Sequence, residues 1–203
     1  MTKQLGKKEI DLMAKAYSSG KPIVIPTDTI YGITVPALDK KAVLNLYKLK
    51  KRDKEKPFII LVSSLRDIAL FGVKLSKEEK KWLQIMWPGK ITAIFRCNDT
   101  KFKYLYRNKK ALSFRIPDDK WLIKAISKLG PLVAPSANIQ GCEPSITIEE
   151  AFDYFKDKAL YIDAGRLNKK PSTIVSFVDG FKIIREGSLK LKKNEYFRPD
   201  INN

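Results

Sequence analysis

Histidine is absent from all 203 residues, and that removes whole classes of chemistry. Ser-His-Asp and Cys-His nucleophile systems cannot be built, so a proton moved near neutral pH would have to pass through a shifted carboxylate, lysine, tyrosine or cysteine. Cysteine is scarce: Cys97 and Cys142 lie far apart, with no second cysteine near either. They predict two reduced thiols that pack as small hydrophobes, and with no imidazole to join them they argue against a zinc or other transition-metal site. No run of about 18 apolar residues occurs, so the sequence holds no candidate helix for crossing a membrane. The stretch from Met1 to Lys8 lacks an apolar signal core and predicts a cytoplasmic protein. Internal repeats, low-complexity segments and linkers are lacking too. Chemistry driven by positioning and charge neutralisation stays open.

What is there fits one domain. A chain that is 44% hydrophobic can bury one substantial core, and 203 residues suit a single unit over 1–203, with a core of about 7–190 and a basic tail of about 190–203. Forty Lys and Arg against 22 Asp and Glu leave a net charge of +18. Such a surplus attracts polyanions such as tRNA or nucleotides and says little about fold; a general lysine bias on polar helix faces explains it equally well.

Helix and strand patterns alternate along the chain. Ile10, Met13, Ala14 and Tyr17 make an apolar stripe closed by Gly20, and Ile23–Ile25 reads as a buried strand. Asp39 caps a helix with Val43, Leu46 and Tyr47 inward. The run Phe58 to Val62 is too short for a typical helix and reads as a central strand. Ser76 and Glu79 form a capping box for a helix to about Met86, which Trp87-Pro88-Gly89 breaks before a strand from Ile91 to Phe95. Further on come a strand from Leu112 to Ile116, a helix with Leu122, Ala125, Ile126 and Leu129 inward, and a short strand from Leu132 to Ala134. A second capping box follows at Thr147 and Glu150, then a strand from Leu160 to Ile162. Asp179-Gly180 between Thr173–Val178 and Phe181–Arg185 is a type I′ hairpin signal. The expected fold is α/β, a single-domain twisted sheet with mixed parallel and antiparallel strands, flanking helices and a large basic cavity.

The most informative stretch is Pro26-Thr27-Asp28-Thr29-Ile30-Tyr31-Gly32, which places small hydroxyls at the carboxyl end of a buried strand, where open α/β sheets hold ligands. With Lys50 and Arg52 just past the next helix it reads as a site for an anionic small molecule, Arg offering bidentate contact and Lys a point charge. A solvated basic helix end and ordinary turn capping by Thr27 and Thr29 are the alternatives. Arg115 lies near the end of an apolar strand, where an unpaired guanidinium is expensive; a substrate carboxylate, or Asp118 or Asp119, would pair with it. Ser136 and Asn138 stand in a small-residue loop that allows close ligand approach or simply caps the strand. Ser145 and Thr147 stand at a helix start, where free N–H groups favour phosphate.

Seven motifs in order resemble one family. They are the Pro26–Gly32 stretch, Lys50-x-Arg52 with Lys56-Pro57, Trp87-Pro88-Gly89, Arg115, Ala134 to Asn138, Pro171-Ser172-Thr173-Ile174-Val175, and Arg185-x-Gly187. Over roughly residues 7 to 190 the chain resembles the YrdC family, the L-threonylcarbamoyladenylate synthases. The resemblance implies synthesis of threonylcarbamoyl-AMP and pyrophosphate from L-threonine, bicarbonate and ATP, for threonylcarbamoyladenosine formation next to the tRNA anticodon. It implies Lys50 and Arg52 as catalytic cations. Thr27, Tyr31, Arg115, Ser136 and Ser172 would hold the threonine or threonylcarbamoyl part, and Lys50, Lys54, Asn138, Ser145 and Arg185 the ATP. Mg²⁺ would arrive with ATP, without a protein ligand cage. Partners would include downstream threonylcarbamoyl transferase proteins, with direct tRNA contact an open question, and no membrane.

Departures from the family pattern occur at Thr34, often Gly, at Val62 or Ser63, often His, and at Pro171, often Glu. The additional C-terminal domain of longer members has no counterpart in the 203 residues, so loop gating would be missing or come from a partner. A non-catalytic RNA-binding module, and a carbamoyl-phosphate-using or hydrolytic enzyme within a longer machine, are the other readings. No aromatic platform for single strands favours the first, and stand-alone length disfavours the second.

Overall fold

Short polar side chains set the helix starts. Asp39 and Asp119 accept from the backbone N–H three residues on, at 2.9 Å each, and Ser76 with Glu79 and Thr147 with Glu150 close the two expected capping boxes. The computed structural model describes residues 5–53, 55–167 and 170–191; Lys54 and the expected tail beyond Leu191 lie outside them. In chain order the elements are α1 (Lys7–Ser18), β1 (Ile23–Ile25), β2 (Gly32–Pro36), α2 (Lys40–Leu49), β3 (Ile59–Leu61), α3 (Arg66–Ala69), α4 (Lys77–Met86), β4 (Ile91–Arg96), α5 (Lys103–Tyr106), β5 (Ala111–Arg115), α6 (Lys120–Leu129), β6 (Leu132–Val133), α7 (Ile148–Phe155), β7 (Leu160–Tyr161), β8 (Thr173–Ser176) and β9 (Lys182–Arg185). Among the described residues no helix is long and apolar enough to cross a membrane.

The strands form one nine-stranded sheet in the order β7-β1-β2-β6-β3-β5-β4-β8-β9. It is mixed, as expected: β7–β1, β3–β5 and β4–β8 are parallel and the other neighbours antiparallel. The apolar run after Pro57 is its middle strand. At the far edge Asp179 and Gly180 both take positive φ, 109° and 88°, as a type I′ connection requires.

Alternation along the strands divides the core. Ile23, Ile25, Leu61 and Leu132 pack under α1 and α6, while Val24, Ile60, Ala93, Phe95, Phe114 and Val175 join the larger cluster with α2 and α4 on the opposite face. Each fully buried aliphatic or aromatic side chain here contributes about 1.5–3 kcal/mol. Among the described residues no helix covers the side carrying α1 and α6 over β4, β5, β8 and β9, and Ile94, Ser113 and Ile174 are only half-buried there. That gap is the floor of the site.

Three details differ from the sequence reading. Ala14 is exposed and Ala16 takes its place inward. β2 went unforeseen because it opens on Gly32 and closes on Pro36, residue types that ordinarily punctuate loops. The short helices α3 and α5 were also missed, each being a single turn with no periodicity to read. Where the family pattern departs, Thr34 donates to Ile23 O at 2.9 Å and pairs with the Tyr17 hydroxyl at 2.8 Å. Ser63 binds Asp67 through both its N–H and its hydroxyl, at the start of α3.

Candidate active site

The loop after β1 is held by its own hydroxyls. Thr27 Oγ1 donates to Ile30 O at 2.7 Å and accepts from the N–H groups of Thr29 and Ile30, so the alternative reading of Thr27 as a turn cap is the one the geometry shows. A hydroxyl has a single proton. With that of Thr27 committed to Ile30, the Thr29 hydroxyl, 3.0 Å away, must donate to Thr27. Thr29 therefore offers acceptor lone pairs to the cleft. Gly32 lets this loop approach the next one: a Cβ there would stand 3.4 Å from Pro135 O and 3.5 Å from the Thr27 methyl.

Arg115 lies at the end of β5, 5% exposed. Its partner is Asp28, Nη2 to Oδ1 at 3.1 Å, and not the side chain of Asp118 or Asp119. The Asp118 N–H instead donates to the other Asp28 oxygen at 3.1 Å, and Arg115 Nη1 reaches Thr29 Oγ1 at 3.4 Å. Burial draws the guanidinium down from its ordinary value, and Asp28 pushes it back up. The sequence offered no signal for this choice, since Asp28 is remote in the chain.

Lys50 ends α2 only 1% exposed. Its ammonium donates to the carbonyls of Ser136 and Asn138, and its own carbonyl accepts from Gln140 N at 3.1 Å. Burial, and then the charge of Arg52, lowers its pKa to about 7. Lys50 lies behind the wall of the cleft and supports it. Asn138 is likewise committed, its amide donating to Ile139 O and Cys142 O at 3.0 and 2.6 Å while its Oδ1 accepts from Ser136 Oγ at 2.6 Å. Ser145 donates to Ala137 O. Tyr31 is fully buried and donates to Gly165 O at 2.7 Å while accepting from Ala164 N at 3.0 Å. Burial first of all pushes its pKa up to about 12, which suits it to anchoring rather than to proton transfer.

A cleft of about 300 Å³ opens over the uncovered sheet face, at the small end of the usual range for ligand sites. It brings together Thr27, Tyr31, Arg52, Arg115, Ser136, Ser172 and Arg185. Lys50, Asn138 and Ser145 do not line it, and Lys54 lies outside the described residues. Ser172 shares a 2.9 Å hydrogen bond with Thr92. Arg52 donates to the carbonyls of Lys56 and Pro57 at 2.9 and 3.3 Å with its guanidinium over Phe58, 5.1 Å from the ring centre. Arg185 donates to Ser172 O at 2.8 Å. Burial lowers the pKa of both arginines. Among the described residues neither has a carboxylate within 4 Å, so the cleft carries two guanidinium charges with no counter-ion. Gly187 is required beside them: a Cβ would fall 2.3 Å from Pro171 O and 2.5 Å from the Ser172 carbonyl carbon.

The sequence reading missed Asp28 as the partner of Arg115, Thr92 as that of Ser172, and the apolar floor at Ile94, Ile174 and Ile184. Alternating hydrophobics in a strand predict a face but not whether that face is covered.

The sequence and the fold are both similar to those of known proteins. The Sua5_yciO_yrdC family model, described as "Telomere recombination", matches residues 15–187. A relative from Methanocaldococcus jannaschii is 34% identical over 190 residues, covering 92% of this chain and 89% of its own. The threonylcarbamoyl-AMP synthase of Buchnera aphidicola subsp. Schizaphis graminum is 33% identical over 181 residues, covering 87% of this chain and 94% of its own. Among solved structures, Pyrococcus abyssi Sua5 in complex with L-threonine superposes with a TM-score of 0.84 at 24% identity, over 91% of this chain and 56% of that one. The fold is thus shared with a protein about 1.6 times as long.

Proposed function

Because the chain belongs to the Sua5/YciO/YrdC family, we propose that its cleft joins L-threonine, bicarbonate and ATP into threonylcarbamoyl-AMP with release of pyrophosphate. The activity is that of a threonylcarbamoyl-AMP synthase, a nucleotidyltransferase of tRNA threonylcarbamoyladenosine biosynthesis. The observation that carries the assignment of the site is the pair of guanidinium groups, Arg52 and Arg185, facing the cleft beside Arg115 without carboxylate partners among the described residues. An anion is the ligand that completes them.

In the reaction an oxygen of threonine carbamate attacks the α-phosphorus of ATP, the bond to the β-phosphate oxygen breaks, and pyrophosphate leaves. Alignment and neutralisation of charge dominate such a transfer, and it needs no covalent nucleophile. Arg115, fixed by Asp28, holds the carboxylate of threonine, the amino acid that Pyrococcus abyssi Sua5 binds. Thr29 accepts from its ammonium, and Ser136 and Ser172 contact the growing carbamate. Tyr31 walls this end, and Thr27 shapes it through the turn. Arg52 and Arg185 neutralise the phosphates, and Lys50, Asn138 and Ser145 act from behind by fixing the backbone at Ala137 and its neighbours. Asp28 is committed to Arg115 and to Asp118 N, which suits Mg²⁺ entering on the nucleotide, held by its phosphates. The adenylate then passes to transferase proteins acting on tRNA.

Pyrophosphate release measured with ATP and Mg²⁺ tests the reading. It should require threonine and bicarbonate together and yield the adenylate; release at full rate from ATP alone rejects it. Serine should be discriminated against only moderately, because one methyl against an apolar wall is worth about 1–3 kcal/mol.

A further inference from the structure

A guanidinium that must meet a phosphate loses its use if a carboxylate holds it, because the fixed anion cancels the charge. Arg52 is held otherwise. Its Nε donates to Lys56 O at 2.9 Å and its Nη2 to Pro57 O at 3.3 Å, and the guanidinium lies over the Phe58 ring. These bonds leave Nη1 without a hydrogen-bond partner among the described residues. Behind Phe58 the stack continues. Tyr47 of α2 lies against it face to face, with ring centres 4.0 Å apart and planes inclined by 26°, and the Arg107 guanidinium lies 4.2 Å from the centre of the Tyr47 ring. A ring has two faces, and one neighbour at about 4 Å fills a face, so the order is Arg107, Tyr47, Phe58, Arg52.

Both rings are buried, Arg107 is half-buried, and none of the three lines the cleft. Further contacts tie the stack to the turn that Arg52 binds. The Tyr47 hydroxyl donates to Lys56 O at 3.3 Å, the same carbonyl that takes the Arg52 Nε–H, and Tyr47 O accepts from Arg52 N at 3.0 Å. Asn108, beside Arg107, donates to Glu55 Oε1 at 2.7 Å. Arg107 itself closes α5 at φ 56° and ψ −119°, a backbone state that residues with side chains seldom adopt, and its buried Nε has no hydrogen-bond partner among the described residues. The face of Tyr47 is what its guanidinium gains in that place.

We infer that Tyr47, Phe58 and Arg107 are positioning residues for Arg52: the stacked rings hold its guanidinium plane at the cleft while its charge stays free for an anion, and Arg107 secures the far face. The inference rests on the synthase reading above and adds to it the groups that aim one of its cations. A ring face attracts and orients a cation without neutralising it, and transfer chemistry is sensitive to small displacements of the groups that serve it. An ordinary core position tolerates another apolar side chain of similar volume; a positioning role requires the rings.

Pyrophosphate release with threonine, bicarbonate, ATP and Mg²⁺ tests this in the wild-type protein and in the Arg52→Ala background. In the wild-type background Phe58→Leu and Tyr47→Leu should each lower kcat about fivefold and Arg107→Met about threefold, with the KM for threonine unchanged. Tyr47→Phe, which keeps the ring, should restore kcat to within about twofold of wild type. With Arg52→Ala already present, the three damaging substitutions should lower kcat no further, because the group they position is gone. Calorimetric binding of pyrophosphate should show the same dependence on Arg52 without turnover. Arg107 is half-buried and outside the cleft, so Arg107→Met decides the matter if a ring variant fails to fold. Equal losses in both backgrounds overturn the inference, as does full kcat in all three variants. Those results leave the synthase reading standing if threonine-dependent and bicarbonate-dependent release persists in the wild type; its absence there overturns both.

Discussion

The two ends of the cleft are built differently. At the inner end every charged or hydroxyl group already has a protein partner: Arg115 has Asp28, Thr29 has Thr27, and Ser136 has Asn138. At the outer end Arg52 and Arg185 donate to backbone carbonyls, Arg52 also lies over the Phe58 ring, neither has a carboxylate partner among the described residues, and Ile184 is exposed. The inner end is thus organised before any ligand arrives, which favours fixed recognition of a small substrate. The outer end holds charge in reserve for a ligand that supplies its own. Damage to the first should register as lost stability as well as lost activity, and damage to the second as lost activity alone.

The largest effect is expected from Asp28→Ala. It strands the buried Arg115 guanidinium and frees the Asp118 N–H, and removing one partner of a buried pair costs about 3–5 kcal/mol. Denaturant unfolding that shifts by less than about 1 kcal/mol would break the contrast at its inner end. Arg52→Ala and Arg185→Ala come next. Each should lower turnover on the order of tenfold or more, while unfolding changes by about 1 kcal/mol at most, the worth of the carbonyl hydrogen bonds given up. Unfolded variants, or full activity in both, would erase the distinction between the ends.

The wall between the ends gives a finer test. Asn138→Ala leaves the carbonyls of Ile139 and Cys142 without their donor, at a cost of about 1–3 kcal/mol. Because Asn138 acts through the loop, the KM values for ATP and threonine should rise together. Ser136→Ala, which removes a hydroxyl from the cleft itself, should act mainly on threonine. A rise confined to ATP in the Asn138 variant would place that amide on the nucleotide.

The most gradual effect is one of pH. Lys50 titrates near 7 when folded and near its ordinary 10.5 when unfolded, so between those values the unfolded chain holds the extra proton. Stability contributed through Lys50 therefore rises with pH over that window, by about 1 kcal/mol per unit, and is flat below it, where both states are protonated. Lys50→Met should remove the slope, as thermal unfolding from pH 6 to 10 would show. An unchanged slope would mean that another group governs it.

Much of the site was legible in the sequence because short motifs carry local geometry. The Thr27 hydroxyl closes its turn within three residues, and the capping boxes, the Asp179-Gly180 hairpin and the central strand after Pro57 all follow from neighbours in the chain. Contacts across the sheet were not legible. Asp28 and Arg115 meet only because the loop after β1 comes to the end of β5, a strand that runs opposite to β1, and Lys50 meets Ser136 only because the end of α2 lies behind the loop after β6. Lys50 reads as a ligand of phosphate and Asn138 as a ligand of the nucleotide from their motifs, while in the fold both donate to backbone carbonyls.

The sequence by itself determined most of the longer helices and strands, though not β2, α3 or α5, together with the absence of imidazole chemistry and the family motifs, since each rests on residue type and spacing alone. Tertiary structure decided which side chains face the cleft and which stand behind it. Strand alternation assigns a residue to a face, but whether that face is covered depends on where α1 and α6 come to rest, and whether Ile184 joins Arg185 there depends on a bulge set by pairing with β8.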